Sequence, residues 1–241
     1  MRFGIVADIH ANLAAFKAVL ADMGSVDGLW CLGDLAGYGP DPNECIELLR
    51  QHNHLCVAGN HDLAAIGRLD TRDFNPDAAA AIEWTSRELT ERSRLYLAGL
   101  PERLIVEPFT LVHGSPRFPI WEYITHEGQA ASNFEHFQTL ACLVGHTHVP
   151  ALYLLDGSGW VLGTVPGERD RFQVDQQRAI ANPGGVGQPR DGDPRAAYAI
   201  YDTETRTVEW RRVSYPIEVT QLRMRGLGLP RRLIERLSYG W

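Results

Sequence analysis

Short apolar runs alternate with helix-like segments in the first third of the chain. Residues 2–7, 28–32 and 55–58 are apolar runs of strand length. Between the first two, residues 11–23 carry apolar side chains at helical spacing, and Asp41-Pro42 is typical of the start of a second helix. This part of the chain therefore predicts a βαβαβ unit with helical crossovers.

The pattern changes in the remainder of the chain. Residues 77–89 and 93–100 still have helical spacing, whereas strand-type runs dominate after Pro101. These runs are residues 104–106, 110–113, 141–144, 151–155, 160–162, 178–181, 197–201 and 207–213. Asp156-Gly157 and residues 202–205 are plausible hairpin turns, so this half is expected to be largely antiparallel. The two halves together predict an α/β (α+β) fold of two packed sheets with helices outside, each half contributing one sheet.

The length of the chain suits one large domain. Its 241 residues, 44% of them hydrophobic, contain no repeat and no linker. We therefore predict a single domain over residues 1–241 with a helical tail at about 217–241. The tail is rich in arginine, and we expect these residues to form a solvated face, with a nucleic-acid patch or a self-association surface as alternatives. They are Arg223, Arg225, Arg231, Arg232 and Arg236.

The net charge and the cysteine content restrict the possible classes of binding partner and the cellular compartment. A net charge of −7 argues against a general nucleic-acid or membrane-surface binder, but a metal centre could still attract a small phosphorylated substrate. The four cysteines form no CxxC pair and are expected to be buried free thiols of a reducing compartment. Because the chain begins with a strand pattern and no apolar run reaches membrane-spanning length, we expect a cytoplasmic protein.

Side chains that can bind metals follow five of the predicted strands. Residues 8–10 (Asp-Ile-His), 33–34 (Gly-Asp) and 59–62 (Gly-Asn-His-Asp) follow the first three strands. Residues 113–114 (His-Gly) and 145–148 (Gly-His-Thr-His) follow two later ones. Since sites in open α/β sheets form beyond the carboxyl ends of strands, these five segments are expected to converge.

Each of these segments also has an ordinary structural explanation. Asp8 or Asn60 could cap a helix, and Gly33-Asp34 could form a simple turn. However, His146 and His148 alternate on an extended chain and so point the same way. Two Asp, four His and one Asn together offer the oxygen and nitrogen donors that suit divalent Mn, Fe or Zn. A metal site is therefore the favoured hypothesis.

The order of these motifs, DxH, GD, GNH(D/E), H and GHxH, resembles that of the calcineurin-like metallophosphoesterase superfamily. Residues 33–40 and 182–191 further resemble the small bacterial and archaeal phosphodiesterase branch. The resemblance covers nearly the whole domain and implies a four-layer αββα sandwich. It also implies two divalent metal ions as cofactors, with manganese expected first and iron, zinc, nickel or cobalt as alternatives.

The resemblance implies a role for each residue of the constellation. The ligands of one ion would be Asp8, His10, Asp34 and His148, and those of the other Asp34, Asn60, His113 and His146. Asp34 would bridge both ions, and a hydroxide between them would attack the phosphorus atom in line. His61 would then be the catalytic residue, as general acid to the leaving oxygen or as a hydrogen-bond donor in the transition state.

The chain departs from the protein serine/threonine phosphatases of this superfamily. Those enzymes carry an Asp-Arg pair after the GD motif and an arginine after the GNHE motif. Here Gly33-Asp34 is followed by Leu-Ala-Gly-Tyr-Gly-Pro, and His61 by Asp-Leu-Ala-Ala. The resemblance therefore does not imply protein phosphatase activity, and it leaves the partner of His61 unidentified.

Further substrate contacts have open alternatives. Asn12 could touch phosphate or cap the first helix, and Arg190 could clamp phosphate or pair with Asp191 or Asp193. Three aromatic residues could wall the leaving-group pocket or serve in ordinary packing. They are Phe118, Trp121 and Tyr123.

The leading functional hypothesis is a hydrolase of small phosphodiesters or phosphomonoesters. Hydrolysis of nucleoside polyphosphates or cyclic nucleotides is an alternative, and the acidic charge argues against a nuclease. A different class of function is a scaffold on the same fold. Because such proteins tend to lose ligands or the catalytic histidine, and this chain keeps all of them, the sequence favours an enzyme. We expect a small phosphorylated partner, no membrane or nucleic-acid partner, and allow for a homo-oligomer.

Overall fold

The βαβαβ unit predicted for the first third of the chain is present in the computed structural model, which describes residues 1–241. Its elements in chain order are β1 (Arg2–Val6), α1 (Leu13–Met23), β2 (Gly28–Cys31), α2 (Pro42–Arg50) and β3 (His54–Cys56). Strand β2 runs parallel to both of its neighbours. The carboxyl ends of all three strands therefore lie at the same edge of the sheet.

Three helices follow this unit: α3 (Asn60–Ala65), α4 (Pro76–Glu88) and α5 (Glu91–Ala98). The last two confirm the helices predicted from apolar spacing, and the side chains of Asn75 and Thr90 cap their first turns. Helix α3 was not predicted as an element of its own. It is only six residues long, too short to show a helical repeat of apolar positions.

The rest of the chain is mainly strands. In chain order these elements are β4 (Arg103–Val106), β5 (Phe109–Val112), α6 (Glu127–Ala131), β6 (Ala141–Leu143), β7 (Ala151–Leu155), β8 (Val161–Thr164), β9 (Arg171–Gln173), β10 (Arg178–Asn182), β11 (Ala196–Asp202) and β12 (Thr207–Val213). Both predicted hairpin turns are confirmed, since they join β7 to β8 and β11 to β12. Strand β9 was missed because its three residues, Arg-Phe-Gln, include only one apolar side chain.

The expectation that each half of the chain builds one sheet is wrong. One sheet has the order β3-β2-β1-β11-β12-β9, so strands from the C-terminal half complete it. Strand β11 pairs with β1 and is buried along almost its whole length, which suits a central strand and not an edge. The other sheet has the order β4-β5-β6-β10-β7-β8. It is less antiparallel than expected, because β6 runs parallel to both β5 and β10.

The core has one layer between the sheets and further layers outside them. Trp30, Phe109 and Trp210 belong to the apolar cluster shared by both sheets. Phe16 and Leu49 belong to a second cluster that joins the first sheet to helices α1 and α2, and a third cluster joins the second sheet to α6. This confirms the predicted arrangement of two packed mixed sheets flanked by helices.

Two helices form the C-terminal tail, α7 (Ile217–Gly226) and α8 (Arg231–Arg236). Met224 and Leu233 lie in one apolar cluster with Tyr38 and Ala81, so the tail packs on the loop after β2 and on α4. The division into one domain and a tail stays a prediction. All four cysteines are buried and free, as expected. None of the helices combines the length and apolar character that crossing a membrane requires.

Candidate metal centre

The five predicted motif segments lie together at the carboxyl ends of five strands. Strands β1, β2 and β3 lead to Asp8, Asp34 and Asn60, and strands β5 and β6 lead to His113 and the His146–His148 turn. All seven candidate ligands and His61 are exposed by 3% or less. Parallel pairing within each sheet and face-to-face packing of the sheets therefore bring these distant segments to one place.

The backbone of this region is unusual. Five of the seven candidate ligands have a positive φ, between 46° and 67°. They are Asp8, His10, Asp34, His146 and His148. Non-glycine residues rarely adopt this conformation, which costs on the order of 1 kcal/mol or more at each position and is concentrated at functional sites. Backbone hydrogen bonds hold it here, for example from the His10 amide to the Asp34 carbonyl at 2.8 Å.

Two glycines allow the close approach of segments around Asp34 and His61. A Cβ atom on Gly59 would lie 2.0 Å from Asp34 Oδ1, and one on Gly37 would lie 2.4 Å from His61 Nδ1. Neither site has room for a side chain, and Gly37 also has a φ of 85°. Any larger residue would displace the polar groups that the fold assembles.

A first donor group consists of Asp8, His10 and His148. The Nε2 atoms of the two histidines are 3.1 Å apart, and His148 Nε2 is 3.4 Å from Asp8 Oδ1. His10 Nε2 is also 3.5 Å from Asp34 Oδ2. These four side chains surround one point, as ligands of a single ion would.

A second donor group consists of Asn60, His113 and His146. His113 Nε2 is 3.0 Å from Asn60 Oδ1 and 3.1 Å from His146 Nδ1. It is also 3.3 Å from Asp34 Oδ2. The same carboxylate oxygen of Asp34 thus lies beside both donor groups.

Asp34 Oδ2 is buried and takes part in no hydrogen bond. The other oxygen, Oδ1, accepts a hydrogen bond from the backbone amide of His61 at 2.9 Å. Leaving a buried carboxylate oxygen without a donor is costly, so such an atom calls for a ligand. A cation between the two donor groups would satisfy it.

The outer ring nitrogen of each histidine faces a backbone carbonyl, which can only accept a hydrogen bond. The Nδ1–H groups of His10, His113 and His148 donate to the carbonyls of Ala36, Leu32 and Gln188 at 3.0, 2.8 and 2.6 Å. His146 uses the opposite nitrogen, Nε2, toward the carbonyl of Trp121 at 3.2 Å. This is the arrangement typical of metal-binding histidines, whose outer N–H fixes the ring.

When these rings are neutral, their inner nitrogens consequently face one another as lone pairs. His10 and His148 do so at 3.1 Å, and so do His113 and His146. Without a proton or a cation between them, such acceptor pairs repel. Nitrogen and oxygen donors of this kind suit borderline divalent ions, so the residues present fit the metals that the sequence predicts.

Burial shapes the protonation of the centre. It raises the pKa of Asp8 to about 7, and it holds the pKa values of His10, His146 and His148 well below the ordinary range. Burial also opposes the charged form of His113, but the adjacent Asp34 carboxylate outweighs it and raises the His113 pKa to about 9. Three of the four histidines are therefore neutral, which is the form that binds metals.

His61 lies beside the donors but has a different environment. Its ring centroid is 4.8 Å from that of His10, 4.4 Å from Tyr38 and 5.1 Å from Phe74. Its Nδ1 has no hydrogen-bond partner, and burial lowers its pKa to about 4. No carboxylate forms a hydrogen bond or ion pair with this ring, although a carboxylate oxygen of Asp34 lies within 4.8 Å of one of its nitrogens.

The adjacent carboxylate, Asp62, instead accepts hydrogen bonds from backbone amides. Its oxygens accept hydrogen bonds from the amides of Asp34, Ala36 and Gly59 at 2.8, 3.0 and 3.0 Å. Asp62 therefore fixes the loop that carries Asp34. Asp62 belongs to the Gly59-Asn60-His61-Asp62 motif, but no role was predicted for it.

The structure distinguishes the two predicted substrate contacts. Asn12 is 1% exposed and caps α1 through the Ala15 amide, while its Nδ2 donates to the Gly187 carbonyl and to Tyr215. These contacts favour the capping alternative. Arg190 donates to Gln188 Oε1 at 2.9 Å and to the Tyr38 hydroxyl at 3.3 Å.

The alternative that Arg190 pairs with an aspartate is wrong. Asp191 pairs with Arg212, and Asp193 pairs with Arg195 and Arg212. Both carboxylates already have guanidinium partners, so Arg190 is left without one. A phosphate clamp stays a prediction for Arg190.

Two of the three predicted aromatic residues lie at the centre. Tyr123 stacks on the His146 ring with centroids 3.8 Å apart, and Trp121 is 6.2 Å from the same ring. Phe118 does not lie there. It is 56% exposed and packs under Arg117.

Sequence reasoning assigned no role to several residues that hold the centre together. Asn182 donates to the Gly145 carbonyl at 2.7 Å and to Thr147 Oγ1 at 3.0 Å, which fixes the turn between His146 and His148. Asn182 and Tyr38 fall in the two segments quoted for the resemblance, which was the available signal. Phe74 lies between the rings of His61 and Trp121, and no sequence motif indicated this role.

Comparison with known proteins identifies the family. Residues 1–206 match the model of the calcineurin-like phosphoesterase superfamily domain. An uncharacterized protein of Methanocaldococcus jannaschii is 35% identical over 98% of this chain and 97% of its own length. A crystal structure of a metallophosphoesterase from Sphaerobacter thermophilus is 49% identical, covers 100% of this chain and 99% of that chain, and superposes with a TM-score of 0.92.

A shorter match concerns an enzyme with a named substrate. The symmetrical bis(5'-nucleosyl)-tetraphosphatase of Pectobacterium carotovorum is 34% identical over 101 residues, which is 35% of this chain and 36% of that protein. The likeness is thus limited to about a third of each chain.

Proposed function

The chain belongs to the calcineurin-like phosphoesterase superfamily, and we propose that it is a dinuclear metal-dependent hydrolase of small phosphodiesters or phosphomonoesters. The observation that carries the proposal is the double role of Asp34. Its Oδ2 accepts no hydrogen bond although it is buried, and it lies 3.5 Å from His10 Nε2 and 3.3 Å from His113 Nε2. A carboxylate placed in this way suits a bridge between two ions.

Asp8, His10 and His148 would hold one ion with Asp34, and Asn60, His113 and His146 would hold the other. Two divalent ions, with Mn²⁺ first and Fe, Zn, Ni or Co as alternatives, would supply an activated water and neutralise phosphoryl oxygens. The protein contributes only two carboxylates to these ions, so the loaded centre keeps a positive charge and attracts phosphate. This local charge outweighs the net charge of −7 of the chain.

His61 is proposed to serve the leaving group. Its ring lies beside Asp34 and His10 without being needed as a ligand, and its Nδ1 has no competing hydrogen bond. A neutral His61 can therefore donate a hydrogen bond to the leaving oxygen, and a protonated His61 can act as its general acid. Arg190 lacks a carboxylate partner and is proposed to bind a phosphoryl oxygen.

Hydrolysis by the metal-loaded protein tests this proposal. The chain should be loaded with Mn²⁺, its metal content measured, and its activity assayed on bis(p-nitrophenyl) phosphate and p-nitrophenyl phosphate. We expect two ions per chain and hydrolysis of at least one ester, with Asp34→Asn inactive. Full metal occupancy without hydrolysis would favour the scaffold alternative.

Hydrolysis of a nucleoside polyphosphate is the second candidate. The local similarity to the symmetrical bis(5'-nucleosyl)-tetraphosphatase supports it. Diadenosine tetraphosphate should be included in the assay, and turnover faster than that of both model esters would favour this candidate. The cytoplasmic location, the absence of nucleic-acid partners and the possible homo-oligomer stay predictions.

A further inference from the structure

A cavity of about 470 Å³ lies beside the second donor group. Its wall includes Tyr123, whose ring stacks on that of His146 with the centroids 3.8 Å apart. It also includes Thr147, the residue between the candidate ligands His146 and His148, whose Oγ1 accepts a hydrogen bond from Asn182 Nδ2 at 3.0 Å. The cavity therefore begins one side chain away from the candidate metal centre.

The hairpin of β7 and β8 and the start of α6 build the rest of the wall. Ala151 and Tyr153 of β7 are buried and belong to the apolar cluster that joins the second sheet to α6. Gly163 of β8 is the strand partner of Tyr153, and Val165 follows it with 71% of its side chain exposed. The cavity thus has a packed apolar side and a side that is open to solvent.

The cavity carries little charge. Glu127 is the one carboxylate in its wall, and neither lysine nor arginine lines it. The other ionisable side chains are His126, Tyr123 and Tyr153. Glu127 Oε1 lies 2.8 Å from the position that a Cβ atom on Gly163 would take. A phosphate or carboxylate group would therefore approach a negative charge here, whereas an apolar group would gain from burial.

We propose that this cavity binds the organic substituent of a phosphate ester whose phosphate group lies at the candidate metal centre. The inference rests on the proposed hydrolase function and names its substrate class: esters whose organic part is largely apolar and carries no negative charge. Burial against Tyr123, Tyr153 and Val165 favours such a substituent, and Glu127 disfavours one that ends in an anion. The volume of the cavity lies in the range of small-molecule sites.

Three non-hydrolysable phosphonates test the cavity. They are methylphosphonate, 4-phenylbutylphosphonate and the phenylbutyl compound with a carboxylate in the para position, and calorimetry measures their affinities for the Mn²⁺-loaded chain. We expect 4-phenylbutylphosphonate to bind about tenfold more tightly than methylphosphonate, the gain from removing on the order of 60 Å² of apolar surface from water. The carboxylate should reduce this affinity about fivefold, as for like charges about 4 Å apart in water.

Two glycines of one hairpin locate the binding site. Gly163→Leu places a side chain in the cavity, where the flexible end of Glu127 and the Tyr153 ring are the nearest groups. It should abolish the tenfold gain of 4-phenylbutylphosphonate and leave methylphosphonate binding unchanged. Gly157→Leu is the matched control, because a Cβ atom on Gly157 would point into open space, and it should behave as the unmodified chain.

Glu127→Gln tests the selection against anions. The variant removes the charge and keeps the shape of the side chain, so the para-carboxylate compound should bind within about twofold of 4-phenylbutylphosphonate. If the fivefold difference persists in Glu127→Gln, Glu127 does not select the substituent.

Three results would overturn the cavity as the binding site. They are equal affinity of the unmodified chain for methylphosphonate and 4-phenylbutylphosphonate, a tenfold gain that survives in Gly163→Leu, and an equal loss of both ligands in that variant. If Gly163→Leu fails to fold, as judged by circular dichroism and thermal unfolding, Gly163→Ala should give a smaller loss in the same direction. Because phosphonate binding requires no turnover, a failure to hydrolyse the model esters would contradict the proposed function alone.

Discussion

The two donor groups on either side of Asp34 each contain three residues, but they differ in charge. The first donor group (Asp8, His10 and His148) contains a carboxylate, whereas the second (Asn60, His113 and His146) contains a neutral amide. Both are buried at the carboxyl ends of strands, and both have an inner pair of nitrogens 3.1 Å apart. Their difference in charge predicts unequal affinity for identical ions.

The backbone of the two groups differs as well. All three residues of the first donor group have a positive φ, whereas only His146 does in the second. Strained conformations persist only where neighbouring contacts over-determine them. The first donor group is thus the more tightly specified by the fold, and we expect it to keep its ion when the second group loses one.

Asp34→Asn should have the largest effect, because it removes the negative charge shared by both groups and leaves one oxygen where the bridge and the His61 amide together use two. We expect loss of both ions and a fall in kcat/KM of at least about 100-fold, more than is typical for residues that only support a ligand. Metal analysis and hydrolysis of bis(p-nitrophenyl) phosphate measure both. Glu83→Gln, an exposed change on α4, serves as control. Near-normal activity with two bound ions would show that Asp34 is no bridge.

Asp8→Asn and Asn60→Ala compare the two groups directly. Asp8→Asn removes a charge from the first group and should weaken its ion by more than about 10-fold, the lower end for residues that only support a ligand. Asn60→Ala should cost less, since it removes a neutral ligand, and Asn60→Asp should tighten the second site. Mn²⁺ titration followed by calorimetry resolves the two affinities. A larger loss in Asn60→Ala than in Asp8→Asn would reverse the ranking.

His61→Ala separates catalysis from metal binding. Because each proposed ion already has four other ligands, the variant should keep both ions and lose activity by more than roughly tenfold, the low end for acid–base groups. Metal analysis and kcat on a diester provide the two readouts. Turnover equal to that of the unmodified chain would remove His61 from the mechanism.

Arg190→Ala tests the phosphate clamp. With no carboxylate partner to compensate, loss of the guanidinium should raise KM for bis(p-nitrophenyl) phosphate by about tenfold, as expected for one charged hydrogen bond. The ions should stay bound, because Arg190 offers no ligand atom. If both KM and kcat are unchanged, the clamp does not exist.

Asn12→Ala should have the smallest effect on activity. Its side chain caps α1 and bonds to the Gly187 carbonyl, so its loss should cost about 2 kcal/mol of unfolding free energy. Thermal unfolding and kcat/KM measure the two effects, and we expect kcat/KM to be unchanged. A large fall in kcat/KM without loss of stability would instead favour direct contact with phosphate.

The sequence predicted the centre better than the sheets around it. Ligand-type residues after apolar runs locate a site because the ends of parallel strands meet, and this needs no knowledge of strand order. Strand order depends on long-range pairing, so the insertion of β11 beside β1 was missed.

The role of Phe74 could not be predicted from the sequence for a related reason. Its contact with His61 depends on the fold of the segment before α4.

Anomalous X-ray diffraction from crystals of the Mn²⁺-loaded chain tests the dinuclear centre most directly. We predict two manganese peaks, one in contact with Asp8, His10 and His148 and the other with Asn60, His113 and His146, both within bonding distance of Asp34 Oδ2. A single peak, or peaks that do not contact Asp34, would contradict the account.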